Sequence, residues 1–304
     1  MTYLYFTLGL AGLFLGGEFL VRGASAIARK FYLSPLLIGL TIVGFGTSAP
    51  EMLVSVEAAI DDKPGIAIGN VVGSNIANIL LILGISALIA PLIIPGRKLW
   101  RDLGFMFLAT AAIWLMLADG FVSRGEGFLL LAGLIAFLAT AFIAGSGHAP
   151  HADVPPVGPI WKSWAMTGAG LVLLVIGAGF LVDSATTIAR DFGISEAVIG
   201  LTIVTMGTSL PELATSVIAA WRRHTEISVG NVVGSNIFNL FGILGVTAVI
   251  APIPSDPRFA AIDMWWVAGS SVGLAAVAFL LGGLPRIAGL ALLGAYGGYL
   301  VFVG

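Results

Sequence analysis

The chain has 304 residues, 58% of them hydrophobic and only 10% charged, with a mean hydropathy of +1.05. That composition excludes a soluble domain and points to apolar runs of about 20 residues that cross a bilayer as helices. A formal net charge of −2 gives no reason to expect a nucleic-acid partner, and the absence of cysteine excludes disulfides and thiolate metal sites.

In chain order, ten spans are expected, over 3–27, 33–60, 66–91, 103–118, 127–144, 165–187, 195–221, 227–251, 264–281 and 286–303. No basic segment precedes the first, and Arg22, Arg29 and Lys30 close it, so it reads as a retained span and not a cleaved leader. Residues 145–156 are the one polar, Pro-rich stretch long enough to be a linker. They divide the chain into a first half (1–144), a cytoplasmic linker (145–163) and a second half (164–304), each half holding five spans. His148 and His151, inside the linker, read as solvated loop histidines. Trp100, Trp161 and Trp164 lie near expected span ends and read as interfacial anchors.

The two halves are copies. Gly46-Thr47-Ser48-Ala49-Pro50-Glu51 returns as Gly207-Thr208-Ser209-Leu210-Pro211-Glu212, and Gly-Asn-Val-Val-Gly-Ser-Asn-Ile occurs at 69–76 and 230–237. The offset is 161 residues throughout, and from Leu33 to Pro91 it preserves 33 of 59 residues. Five spans per copy is an odd number, so the second copy must enter the membrane from the opposite side. The charges agree. With both termini outside, Arg22, Arg29, Lys30, Arg97, Lys98, Arg101, Lys162, Arg222, Arg223 and Arg286 fall inside, and only Lys63, Arg124, Arg190 and Arg258 fall outside. Inverted repeats with interrupted helices are a common plan of secondary transporters.

The repeated stretches carry the chemistry. Glu51 and Glu212 sit near the centres of the second and seventh spans, where a charge costs ~2.5–3.5 kcal/mol on insertion scales. Neither helix offers a nearby Lys or Arg. A lone acid there could be a protonated helix–helix hydrogen bond; two at matching positions point to a cation. Pro50 and Pro211 lack an N–H, so they free the carbonyls of Gly46 and Gly207. Those carbonyls, the hydroxyls of Thr47, Ser48, Thr208 and Ser209, and the two carboxylates are hard oxygen ligands of the kind sodium and calcium take. On the third and eighth spans, Asn70, Ser74 and Asn78 share one face, as do Asn231, Ser235 and Asn239. Ser74, Asn78, Ser235 and Asn239 lie deeper and are ligand candidates. Asn70, Asn75, Asn231 and Asn236 fit interhelical hydrogen bonding equally well. Gly69/Gly73 and Gly230/Gly234 permit close helix approach.

Weaker candidates lack this symmetry. Glu18 could line an ion path, Glu57 could stand at the outer mouth, and Asp183 is expected to be solvated. The glycines of the first and sixth spans (Gly9, Gly12, Gly16 and Gly17; Gly168, Gly170, Gly177 and Gly179) suggest two helices that slide together across a four-helix core.

At the repeated motifs the sequence resembles the cation/calcium exchanger superfamily, and within it the sodium/calcium exchanger branch of prokaryotic type. The resemblance covers the whole chain and is densest over 33–91 and 194–252. It implies an all-α membrane protein of ten transmembrane helices, built as two inverted five-helix repeats, with helices broken at four midplane ion sites. It implies that Thr47, Ser48, Glu51, Thr208, Ser209 and Glu212 supply most ligands. Ser74, Asn78, Ser235 and Asn239 would complete them, with the backbone carbonyls of Gly44 and Thr205. Some members carry Asp at one of the positions matching Asn78 and Asn239. Asn at both argues against potassium co-transport and against protons at the middle site.

The reading is a secondary antiporter, not an enzyme, exchanging sodium for calcium by alternating access and moving net charge. No cofactor is expected, because the two ions are substrates. The protein is expected in the cell membrane, in contact with lipid, and to work as a monomer. A proton/calcium exchanger is the alternative, and a cation channel ranks behind it because two inverted halves around one site suit alternating access.

Overall fold

The computed structural model describes residues 1–93, 96–145, 159–192 and 205–303. It is helical almost throughout. Helix α1 runs over Thr2–Lys30, α2 over Pro35–Thr47, α3 over Ala49–Ile60, α4 over Pro64–Ile89, α5 over Gly96–Ala118 and α6 over Arg124–Gly145. After the linker come α7 (Ile160–Asp191), α8 (Thr205–Gly207), α9 (Leu210–Trp221), α10 (Thr225–Ile250), α11 (Phe259–Leu281) and α12 (Arg286–Val303). Among the described residues, seven helices are long and apolar enough to cross a membrane, and eight if α2 and α3 form one broken span. Helices α8 and α9 lie where the seventh span is expected, with 193–204 outside the described residues. The linker histidines also lie outside them, and α7 begins at Ile160, inside the expected linker.

Local sequence sets the helix ends. The Ser34 hydroxyl accepts from Leu37 N–H at 3.1 Å and Pro35 opens α2. Pro64 likewise opens α4, and Gly282 closes α11 with a φ of +67°. The break expected before Pro50 is present: Ser48 leaves helical geometry (φ −84°, ψ 10°), and α3 departs from α2 by 44°. The pattern did not announce the π-helical turns over Gly39–Val43, Asn78–Ile82, Phe238–Ile243 and Phe259–Asp263. Such turns concentrate at functional sites, and the first three interrupt α2, α4 and α10.

Helices α10 and α4 form the centre, with 78% and 72% of their spanning windows buried, against 28% for α7 and 22% for α6. One apolar cluster joins α4 and α10 to α5, α6, α11 and α12 through residues such as Ile76, Leu103, Phe137, Ile237 and Leu274. A separate cluster joins α1 and α7 to α2 and α9 through Leu20, Ile27, Val43, Leu174 and Ile218. Two short strand pairs stitch the halves together. β1 (Leu92–Ile93) pairs antiparallel with β4 (Gly283–Leu284), and β2 (Phe121–Val122) with β3 (Ile253–Pro254). They satisfy backbone groups where helices end.

The seam between α1 and α7 is made by glycine. A Cβ on Gly170 would lie 2.6 Å from the Leu20 nitrogen, and one on Gly16 would lie 2.8 Å from the Leu174 nitrogen. Gly9, Gly12 and Gly177 sit in the same seam. Of the glycines expected to give a sliding surface, these five lock the two helices backbone to backbone, which fits small residues at membrane helix contacts. Gly17 differs: it faces Ile218 of α9. Gly168 and Gly179 meet no described atom within 4 Å. Gly170→Leu is expected to cost about 1–3 kcal/mol by overpacking, read as a lower unfolding temperature of the purified protein in detergent. Gly179→Ala is the control and should leave that temperature unchanged.

Candidate functional site

Glu51 and Glu212 stand in the first turns of α3 and α9, just after the breaks at Ser48 and Ser209. Ser209 repeats the Ser48 geometry, with φ −85° and ψ 4°. The breaks expose helix N-termini inside the protein, where partial positive charge favours a carboxylate. Both Glu side chains are fully buried. Among the described residues, no third carboxylate or imidazole joins them.

Each carboxylate is held by the other copy. The Ser48 hydroxyl donates to Glu212 Oε1 at 2.8 Å, and the Ser209 hydroxyl donates to Glu51 Oε1 at 3.1 Å. Ser74 joins on one side, its hydroxyl 3.2 Å from that of Ser209. Among the described residues, the second oxygen of each Glu, Oε2, is buried without a hydrogen-bond partner.

Two asparagines hold the backbone behind the acids. Asn70 Nδ2 donates to the Glu51 carbonyl (3.0 Å) and the Ser55 hydroxyl (2.9 Å). Asn231 Nδ2 donates to the Glu212 carbonyl (3.2 Å) and the Ser216 hydroxyl (2.8 Å). Their side-chain oxygens accept across the halves: Asn231 from Thr47 at 3.2 Å, Asn70 from Thr208 at 3.3 Å. The Gly44 carbonyl accepts from Thr47 (3.3 Å) and Ser235 (3.0 Å). For that carbonyl to face an ion, those hydroxyls must turn aside. Deeper in the core, Asn78 Nδ2 donates to Asn236 Oδ1 (2.9 Å), and Asn236 Nδ2 donates to the Asn75 carbonyl (3.2 Å). Asn78 Oδ1 and both polar atoms of Asn239 are buried and have no partner among the described residues.

Most of the expected candidates therefore meet. Hydrogen bonds link Glu51, Ser209 and Ser74; Ser48 and Glu212; and Thr47, Gly44 and Ser235, with Asn70 tying in Thr208. Asn78 and Asn239 lie about one helical turn beyond Ser74 and Ser235, in the core of the same helices. Thr205 opens α8, and its side chain lies outside the described residues. Carboxylate, hydroxyl, amide and carbonyl oxygens gathered in this way are the hard donors that alkali and alkaline-earth cations take.

The two flanks are unequal. Thr47 and Asn231 are buried at 1% and 0% exposure, whereas Thr208 and Asn70 remain partly exposed. On the flank toward the Lys30 end of α1 the pair is buried, and on the flank toward the Asp61–Pro64 turn its counterpart is only partly so.

Other acids sort differently. Glu57 and Asp183 are exposed. Glu18 does not line an open path, because Arg222 and Arg22 take its oxygens. In the loop before α10, His224 is held below its ordinary pKa by burial, then by Arg29 and Arg222. Sequence reading missed a further pair, Asp102 and Asp263. Both are buried; Arg101 donates to Asp102 and to the Thr140 carbonyl, while Arg258 and Tyr299 face Asp263. They are 161 residues apart, so the repeat offset alone could have found them.

Known proteins resemble the chain in sequence and in fold. The family described as sodium/calcium exchanger protein matches residues 1–143 and 162–304. The putative antiporter CaxA of Alkalimonas amylolytica is 40% identical over 293 residues, covering 93% of this chain and 92% of its own. The sodium/calcium exchanger MaX1 of Methanosarcina acetivorans is 34% identical over 295 residues, covering 83% and 84%. The solved structure of the sodium-calcium exchanger NCX_Mj, soaked with sodium and calcium, superposes with a TM-score of 0.87. It is 35% identical and covers 99% of this chain and 97% of its own.

The unequal flanks give a stability prediction. Asn231→Ala removes the donor to the buried Glu212 carbonyl and Ser216 hydroxyl and should cost about 1–3 kcal/mol. Asn70→Ala, with water within reach, should cost less. Unfolding midpoints of the two variants, measured side by side, check the order.

Proposed function

The chain belongs to the sodium/calcium exchanger protein family, and from that premise we propose that it is a membrane antiporter exchanging sodium for calcium by alternating access. The observation that carries the reading is the crossed pair, Ser48 on Glu212 and Ser209 on Glu51, with one free oxygen left on each carboxylate. Two carboxylates supply a charge of −2. One calcium neutralises it, as do two sodium ions, and a third sodium leaves the loaded site at +1. Exchange in that ratio moves net charge, so the membrane potential contributes ~2.3 kcal/mol per charge per 100 mV. The shared oxygens cannot serve calcium and a full sodium set together, and that exclusion couples the fluxes.

Ligands are Glu51, Glu212, Thr47, Ser48, Thr208, Ser209, Ser74, Asn78, Ser235 and Asn239, with the carbonyls of Gly44 and Thr205. The architecture is ten helices in two inverted halves, 1–144 and 164–304, joined by a cytoplasmic linker. The constant offset, the crossed contacts and the two matching strand pairs support it. The reversed charge bias places both termini outside. One copy of the chain contains the whole site, which fits a working monomer. The unequal flanks fit a state open toward the Asp61–Pro64 turn, and the separate packing of α1 and α7 fits a pair that moves across the other helices.

A second reading rests on the same acids. Buried carboxylates without a basic partner also carry protons, and a proton/calcium exchanger would take up calcium without sodium. In vesicles loaded with sodium, calcium uptake is expected to stop when the sodium gradient is collapsed. Uptake that ignores sodium and follows a pH gradient decides for protons. Glu51→Gln and Glu212→Gln are each expected to reduce uptake to background while the protein still inserts; normal exchange by both removes the site assignment. His151→Cys supplies the only thiol, and an impermeant maleimide outside intact cells should leave it unlabelled. Labelling there reverses the orientation.

A further inference from the structure

Glu18 is an acid the exchange reaction does not use, yet it is 6% exposed in the middle of an apolar helix. Arg222, just past the end of α9, clamps it with two bonds: Nε to Oε2 at 2.9 Å and Nη2 to Oε1 at 2.7 Å. Arg22, one turn along α1, closes on the same carboxylate. This planar fork holds a carboxylate in one orientation, which a lysine would not do. Around it the two helices interlock. A Cβ on Gly17 would lie 2.5 Å from Ile218 Cδ1, Phe14 packs on Trp221 with ring centroids 5.9 Å apart, and the Arg222 guanidinium lies 4.9 Å over the Trp221 ring.

The pair has no counterpart in the other half. At the 161-residue offset, Glu18 corresponds to Gly179 and Arg222 to Asp61, so no ion pair can form there. The seam it closes joins the middle of α1 to the C-terminal end of α9, the end from which α10 starts toward the buried Asn231. The end with Gly179 and Asp61 is the one where Thr208 and Asn70 keep partial exposure. Opening the Lys30 end separates α1 from α9, which pulls a carboxylate out of a bidentate contact inside an apolar seam. At the matching positions of the other end, Gly179 and Asp61 offer no such contact to break.

We propose that Glu18 and Arg222 are a one-sided latch: positioning residues that hold α1 on α9 and bias the antiporter toward the state open at its Asp61 end. The proposal rests on the alternating-access reading above. A latch on one of two related flanks makes the two states unequal in energy, so the apparent affinity for calcium differs between the two sides of the membrane. A transporter with this bias captures its ion more readily at the Asp61 end, because the apparent affinity at each side scales with the fraction of protein open there.

The test uses the full chain in liposomes, with Ser25→Cys as the only thiol. Ser25 lies two turns beyond Glu18 on the same face of α1; it is buried and its hydroxyl is unpartnered. Its labelling rate by N-ethylmaleimide reports opening of the Lys30 end. Glu18→Gln and Arg222→Gln, on separate helices, should each raise that rate by about threefold or more. The exchanged pair, Glu18→Arg with Arg222→Glu, keeps one carboxylate between two guanidiniums and should return it to the parent value. Should one Gln variant fail to insert, the other reads the same seam. Equal labelling in the parent and the inserted Gln variants overturns the latch. Faster labelling that the exchanged pair does not reverse also overturns it, since loosened packing would then account for the effect. Calcium uptake by the unmodified protein separates the premises. Its absence overturns the transport reading and with it the latch's role. Intact uptake with unchanged labelling overturns the latch alone.

Discussion

Two carboxylates buried in an apolar core without a basic side chain are the constraint on which the rest of this structure depends. Ionised and unpaired at that depth, each costs several kcal/mol. The fold meets the cost in part. One oxygen of each Glu takes a hydroxyl from the opposite copy, and each stands in the first turn of a helix that starts after a break at Ser48 or Ser209. The second oxygen is left over. A fully satisfied carboxylate would have nothing to offer an ion, and a wholly unsatisfied one would oppose folding. Partial satisfaction leaves an oxygen on each Glu open to a further ligand, which is what the proposed cation exchange requires.

Much of the remaining architecture serves that arrangement. Asn70 and Asn231 hold the carbonyls of the two acids and so fix where each helix begins again after its break. Gly39 of α2 and Gly230 of α10 approach each other too closely for a Cβ, which brings the Asn231 side chain within reach of Thr47. The strand pairs carry the same cross-half logic to the membrane surfaces, where each short strand from one half meets one from the other. Around the central helices, α1 and α7 pack mainly on each other, through glycines that leave their backbones in contact. They meet the centre through fewer side chains, and the Glu18 ion pair is the most directional of these contacts. In a molecule made of two related halves, a contact present on one flank only has an energetic consequence that symmetric contacts lack.

What the sequence determined by itself is what local chemistry or exact repetition can express. The 161-residue offset, the broken helix at Ser48, the apolar runs and the two acids are all properties of short segments. Each is set by proline's missing N–H, by helical period or by the cost of charge in hydrocarbon. The same reasoning marked Ser48, Ser209, Thr47 and Thr208 as polar groups beside those acids. Only the tertiary structure decided which partner each one takes. Ser48 lies three residues before Glu51 yet bonds Glu212, because the break turns its hydroxyl across the interface between halves. The π-helical turns at Asn78 and Phe238 likewise depend on packing between helices and leave no mark in the period of apolar residues. Glycine content said that helices approach closely, but not that Gly16 and Gly170 face each other instead of a sliding surface. The partner of Glu18 lies 204 residues away, beyond any sequence window. Contacts of that range form only when the chain's two halves pack together, so their identity belongs to the fold and not to the segments that supply them.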